Sequence, residues 1–228
     1  MSGIMLNIAG GSFAPSVPTV IGQAFGGGYY AGQIGVSSVA THYLVVAPKS
    51  TGEASLQAWG PSPSTTGATS VIAGNTNSAT LAGLGSSYQA ATFCEGLSIG
   101  GYIDWYLPAK NELEVCYYFL KPLSGNNATG SYASGSNANA VSPEPVSTNY
   151  TTTNPAITSA SVFIGGGAQA FEAAIGSGKY YWSSTDNSAY QADAQDFGNL
   201  NTFTGEGYQS LRPKTSTNFV RAIRRVAV

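Results

Sequence analysis

The stretch Gly100-Gly101-Tyr102-Ile103-Asp104-Trp105-Tyr106-Leu107-Pro108-Ala109-Lys110-Asn111-Glu112-Leu113 sets a large aromatic side chain just ahead of a helix start. Proline has no N–H to lose in a first turn and its fixed φ suits one, so Pro108 marks the first helical position. Leu113, Cys116, Tyr117 and Leu120 then make one apolar stripe, and Pro122 ends it. Trp105 is predicted to lie in the core, because a ring of that size removes so much area from water. Upstream, Leu81, Leu84, Tyr88 and Ala91 recur at three- and four-residue steps. With Asn77-Ser78 as N-cap and Gly96 as stop, they predict a first helix packed on the second, its first turn weakened by Gly83 and Gly85.

Runs rich in β-formers flank these helices. Residues 29–34 and 42–47, separated by Gly-Val-Ser-Ser, read as an antiparallel pair. Strand character returns at 180–185, 192–197 and 219–228, and Trp182, like Trp105, is assigned to the core. Residues 48–76, around the isolated Trp59, read as a loop with one short strand, and 122–160 as a long polar loop with neither period. Residues 1–20 mix apolar side chains with Gly10-Gly11, Pro15 and Pro18 and read as an attachment arm. The expected fold is one α+β domain over 21–228, with two helices packed on twisted, mainly antiparallel sheets.

Composition narrows the function. A chain of 228 residues, 43% hydrophobic and 11% aromatic, can bury a sizeable core. Only 9% of it is charged and the net charge is −2, against about 25% charged residues in ordinary globular chains. Residues 54–93 and 145–171 carry no charged side chain. Nucleic acid is an unsuitable partner, since phosphate binding needs clustered Lys and Arg. Five of the nine basic residues lie together at Arg212, Lys214, Arg221, Arg224 and Arg225, and the last three alternate with apolar residues in a strand. The first basic residue is Lys49, which leaves no secretory n-region, and the apolar run at 4–8 is far too short for a membrane span. Cys94 and Cys116 lack metal-ligand spacing and read as buried thiols. His42, the one histidine, sits in an apolar strand with no nucleophile in view, and Gly-Ser-Gly-Lys at 176–179 lacks the phosphate-loop pattern.

The quoted stretch resembles the G-G-x-x-D-W-x-L-P-x-x-x-E-L signature of a C-type-lectin-like family found in phage tail fibres and bacterial surface adhesins. Two further motifs follow in the family's order. Tyr181-Trp182-Ser183-Ser184-Thr185 looks like its W-S-S strand, and Val220-Arg221-Ala222-Ile223-Arg224 like its closing V-R-x-V-R strand. Ile21-Gly22-Gln23-Ala24-Phe25-Gly26-Gly27-Gly28-Tyr29-Tyr30-Ala31-Gly32 is similar to phage tail-fibre members in particular. The resemblance implies a C-type-lectin-like fold over 21–228 in a tail-fibre or baseplate-tip protein of a virion, made in the host cytoplasm. It further implies a homotrimer, joined to other tail proteins through residues 1–20, that binds a host-surface glycan or protein. By family position, Asp104 caps the following helix and Glu112 pairs with Arg221 or Arg224. Where many relatives have a cysteine in the last strand, this chain has Ala222-Ile223, which leaves Cys94 free.

In that family the final strands and loops form the ligand face, here residues 186–215. The candidate ligand-binding residues are the aromatic Tyr190, Phe203 and Tyr208, the amides Asn187, Gln191, Gln195, Asn199, Asn201 and Gln209, and the carboxylates Asp186, Asp193 and Glu206. Aromatic faces suit pyranose C–H groups, while amides and carboxylates give oriented hydrogen bonds to hydroxyls. No catalytic residue, metal or cofactor is assigned. Fold-related formylglycine-generating oxidases use cysteine thiols and a metal, and this chain has no cysteine after Cys116. Asp193 and Asp196 are three apart in a strand and face opposite sides, which does not suit glycoside cleavage. In the last hundred residues only Asp186-Asn187 and the Asp193–Asp196 stretch offer oxygen clusters of the kind that coordinate calcium. A purely structural tail component with no host ligand is the alternative reading.

Overall fold

The computed structural model describes residues 17–129, 150–173, 180–198 and 205–228. Most of the arm, the centre of the 122–160 loop, the Gly-Ser-Gly-Lys segment and the site candidates Asn199, Asn201 and Phe203 lie outside the described residues. The fold is mixed α+β with two sheets. One is antiparallel, ordered β1 (Ala24–Phe25), β2 (Gly28–Val36), β3 (Val39–Val46) and β9 (Ile223–Ala227). The other is ordered β4 (Glu53–Ala58), β8 (Thr217–Arg221), β5 (Tyr180–Asp186), β6 (Gln191–Asp196) and β7 (Gln209–Pro213), with β5 and β8 parallel.

The antiparallel pair expected at 29–34 and 42–47 is β2 and β3. Ser37 and Ser38 both have positive φ (52° and 62°) at its turn, the conformation that matches the twist of a two-residue hairpin. The last strand departs from expectation. It is two strands, β8 and β9, in different sheets, joined at Ala222, whose N–H donates to the Gly52 carbonyl and whose carbonyl accepts from Ala47 N–H. Ala222 thus ties the two sheets together where an uninterrupted strand would belong to only one.

The first helix is also broken. Short α1 (Lys49–Gly52) precedes β4, and the predicted helix is two, α2 (Gly74–Gly83) and α3 (Gln89–Glu95). Gly85 between them has φ +116°, which a helix cannot absorb. Asn77 is not a cap but lies inside α2, where its side chain bonds both the N–H and the carbonyl of Ser70. Helix α4 (Lys110–Leu120) begins two residues after Pro108, with Ala109 as N-cap, and its Leu113, Cys116, Tyr117 and Leu120 are buried as the stripe predicts. It packs on β2, β5 and β6.

Two apolar clusters fill the interior. Trp59, Trp105 and Trp182 sit in one with Leu81, Cys94 and Val220, and all three rings are fully buried. The other joins α4 to Ile34, Leu44, Phe163, Tyr181 and Phe197. The sparse charge lies largely inside: Arg221 pairs with Glu53 (2.9 Å), Arg225 with Glu112 (2.6 Å) and Arg224, through both nitrogens, with Asp104. These partners correct the family-based expectation. Glu112 meets neither Arg221 nor Arg224, because it points from the first turn of α4 toward β9 at Arg225. Asp104 holds Arg224 rather than a helix end.

Candidate functional site

Of the described candidate residues, those that reach solvent, Asn187, Tyr190 and in part Gln191, lie on the β5–β6 turn. Its backbone closes on itself: Asn187 and Ser188 N–H donate to the Gln191 carbonyl, and the Ser188 hydroxyl accepts from Tyr190 and Gln191 N–H. The neighbouring loop at 60–66 grips it, with Ser64 N–H donating to the Ala189 carbonyl (2.8 Å) and Lys214 N–H to that of Tyr190 (3.0 Å). Underneath lies a buried ion pair. Lys214 Nζ sits 2.7 Å from Asp186 Oδ1, donates to the Ser64 carbonyl at 2.6 Å and lies 4.6 Å over the Trp59 ring. Asp186 Oδ2 accepts from the Thr66 N–H and hydroxyl. A tyrosine ring that is 63% exposed, Tyr190, therefore projects from a turn fixed by main-chain bonds and a buried salt bridge. Asn187, Ser188, Pro61, Ser62, Pro63 and Thr65 are exposed around it. The surface is aromatic, amide and hydroxyl in character, with its two charges neutralised below.

The other candidates divide sharply. Gln191 is half-buried, whereas Asp193, Gln195, Glu206, Tyr208 and Gln209 are buried along with Asp186. Lys110 Nζ lies 3.1 Å from Asp193, and Lys121 Nζ lies 3.1 Å from Glu206. Gln195 and Gln209 each donate an amide N–H to Glu114 Oε2 on α4, at 2.7 and 2.6 Å. These residues come together, but around α4 rather than on an open face.

That buried cluster has unusual acid–base properties. Burial pushes the Glu114 carboxyl up to about 7, against bonds from Tyr150 and Gln195 and the positive charge of Lys110. Its Oε1 has no hydrogen bond of good geometry, although the Tyr150 hydroxyl lies beside it. Burial raises Asp196 to about 7 as well, opposed by the Gly198 N–H and aided by Glu206. Burial lowers Lys121, and Glu206 pulls it back. Glu112 is pushed up by burial against the pull of Arg225.

Sequence reasoning missed Lys214, Thr66 and the 60–66 loop, which build the turn surface, and Glu114, which organises the buried amides. Lys214 carried no readable signal, since it stands among the clustered basic residues near the end of the chain and its partner at 186 is too distant in sequence to read. Among the described residues no group of three or more His, Cys, Asp or Glu side chains is placed to hold a metal ion. No helix among them is long and apolar enough to cross a membrane. Both thiols are buried and burial raises their pKa values, which disfavours the thiolate. No protein-family model, curated protein sequence or solved structure matches the chain.

Proposed function

We propose that this chain is a C-type-lectin-like receptor-binding module of a phage tail, and that the turn surface around Tyr190 contacts a host-surface glycan. The observation that carries the proposal is the rigid presentation of one exposed aromatic ring, 63% exposed, amid amide and hydroxyl groups. An exposed tyrosine on a pre-organised turn offers contact area at low entropic cost, and its apolar face suits pyranose C–H groups. The three motifs in family order and the α+β arrangement of two sheets support the family reading. In this reading residues 1–20 attach the module to other tail proteins and three copies act together, so weak single contacts combine into useful avidity.

A second reading, a structural tail component without a host ligand, is favoured by the burial of six of the candidates, Asp186, Asp193, Gln195, Glu206, Tyr208 and Gln209. Binding of fluorescently labelled protein to a panel of bacterial strains separates the two, with Tyr190→Ala and Asn187→Ala variants shown to be folded by circular dichroism. Strain-selective binding that Tyr190→Ala abolishes supports the receptor-binding module. No binding to any strain by an intact oligomer leaves the structural component.

A further inference from the structure

A second surface feature lies far from Tyr190 in sequence. A cleft of about 350 Å³ is lined by the glycine segment Gly165–Gly167, by Leu123 and Phe171, and by the Lys49–Glu172 pair, Lys49 being the first residue of α1. Three features suggest what it holds. First, it is electrically closed. Lys49 Nζ lies 2.6 Å from Glu172 Oε1 and 3.8 Å from Glu53, whose other oxygen pairs with Arg221 at 2.9 Å, so two cations and two carboxylates alternate and no net charge is left to recruit an ion. Second, the wall is built and held. Gly165 N–H donates to the Pro122 carbonyl, Gly167 N–H to that of Ile164, and Lys49 Nζ to that of Ala170. A Cβ on Gly165 would come within 2.9 Å of Leu123, whereas one on Gly166 would meet nothing within 4 Å. Third, the cleft juxtaposes an apolar wall with an acceptor and a donor side by side. Glu172 is half-exposed and Lys49 about a quarter exposed.

We propose that this cleft is a subsite for a neutral pyranose, a vicinal diol with one hydroxyl donating to Glu172 and its neighbour accepting from Lys49, and its C–H face against Leu123. The volume falls in the range of small-molecule pockets, which are mostly apolar with a few convergent polar groups. An ionic ligand would have to break the Lys49–Glu172 pair, whereas hydroxyls bridge it. The ligand class rests on the glycan reading above, but the site itself is separate from Tyr190.

Saturation-transfer NMR with the methyl glycosides of glucose, galactose, mannose and N-acetylglucosamine tests it on the whole chain, beside Leu123→Trp, which fills the cleft, and Glu172→Gln, which leaves its shape. Saturation of ring protons in at least one glycoside is expected. Leu123→Trp should abolish it, and Glu172→Gln should cost about tenfold in affinity, the worth of one charge-assisted hydrogen bond. The proposal is overturned if no glycoside is saturated, or if both variants bind sugar as the native chain does. Strain binding lost in Tyr190→Ala but unchanged in Leu123→Trp, without sugar saturation, removes the cleft and keeps the receptor reading. Sugar binding lost in Leu123→Trp, with no strain bound at all, keeps the cleft and removes the receptor reading.

Discussion

Glu114 is a carboxyl enclosed by protein, and replacing it with glutamine has a calculable effect. Its folded-state pKa, about 7, lies above the ordinary 4.5 because burial penalises the charged form. The stability this group contributes is therefore complete below about pH 4.5, falls as the unfolded chain releases its proton, and is fully lost above about pH 7. Each pKa unit is worth about 1.4 kcal/mol, so the gap amounts to about 3 kcal/mol. Glu114→Gln mimics the protonated acid: its carbonyl still accepts from Gln195 and Gln209, and its amide takes the place of Oε1, which has no well-formed bond to lose. The variant should match the native chain near about pH 4.5 and exceed it by about 3 kcal/mol at about pH 8. Urea unfolding followed by tryptophan fluorescence measures this directly, since all three indoles are fully buried and report global unfolding. A stability difference between variant and native chain that stays constant from about pH 5 to about pH 8 would refute the reasoning.

Glu112→Ala tests the neighbouring carboxyl. It removes the acceptors of Tyr106, Arg225, Ala109 N–H and Gly74 N–H, leaving a buried hydroxyl and a partly buried guanidinium without them, and costs about 3 kcal/mol in urea; an unchanged midpoint would sink that assignment. Lys214→Met leaves Asp186 buried against Thr66 alone and should lower stability by about 3 kcal/mol or more while loosening the Tyr190 turn. Hydrogen exchange at Tyr190 and Lys214 N–H checks it, and unchanged protection contradicts it. Light scattering of the full chain should give three times the 23.3 kDa chain mass; a monomeric mass removes the trimer.

The sequence told most where one face of an element carries the pattern. The α4 stripe, the β2–β3 pair and the Trp105 and Trp182 cores were legible because apolar spacing reports burial directly. The candidate face misled for a physical reason. Ala192 and Ala194 of β6 pack into the tryptophan cluster, while Asp193 and Gln195, on the other face, meet Lys110 and Glu114 of α4. The strand is covered on both sides, so its polar alternation, which reads as one solvated face, marks an internal polar contact instead. Strand β7, Gln-Ser-Leu-Arg-Pro, has no alternation to announce it and was absorbed into the loops. Ion-pair partners stayed hidden because Arg221 and Glu53, or Lys214 and Asp186, meet only through the sheet order.

The placement of charge links the fold to the proposed function. Each described lysine lies within 4 Å of a carboxylate of the same chain: Lys49 with Glu172, Lys110 with Asp193, Lys121 with Glu206 and Lys214 with Asp186. In a chain that is only 9% charged, charges used in this way hold helix to strand and turn to loop, and leave hydroxyls, amides and single aromatic rings to face the solvent. Such a surface has little long-range field to steer a charged partner and gains nothing from low ionic strength. Recognition through it has to come from close contact, ring face against C–H and amide against hydroxyl, repeated over several copies. Cell binding by this chain should accordingly persist as salt is raised through the range that screens surface charge, about 0.05 to 0.5 M; binding that collapses across that range would mean that an ionic contact, and not the neutral turn at Tyr190, carries it.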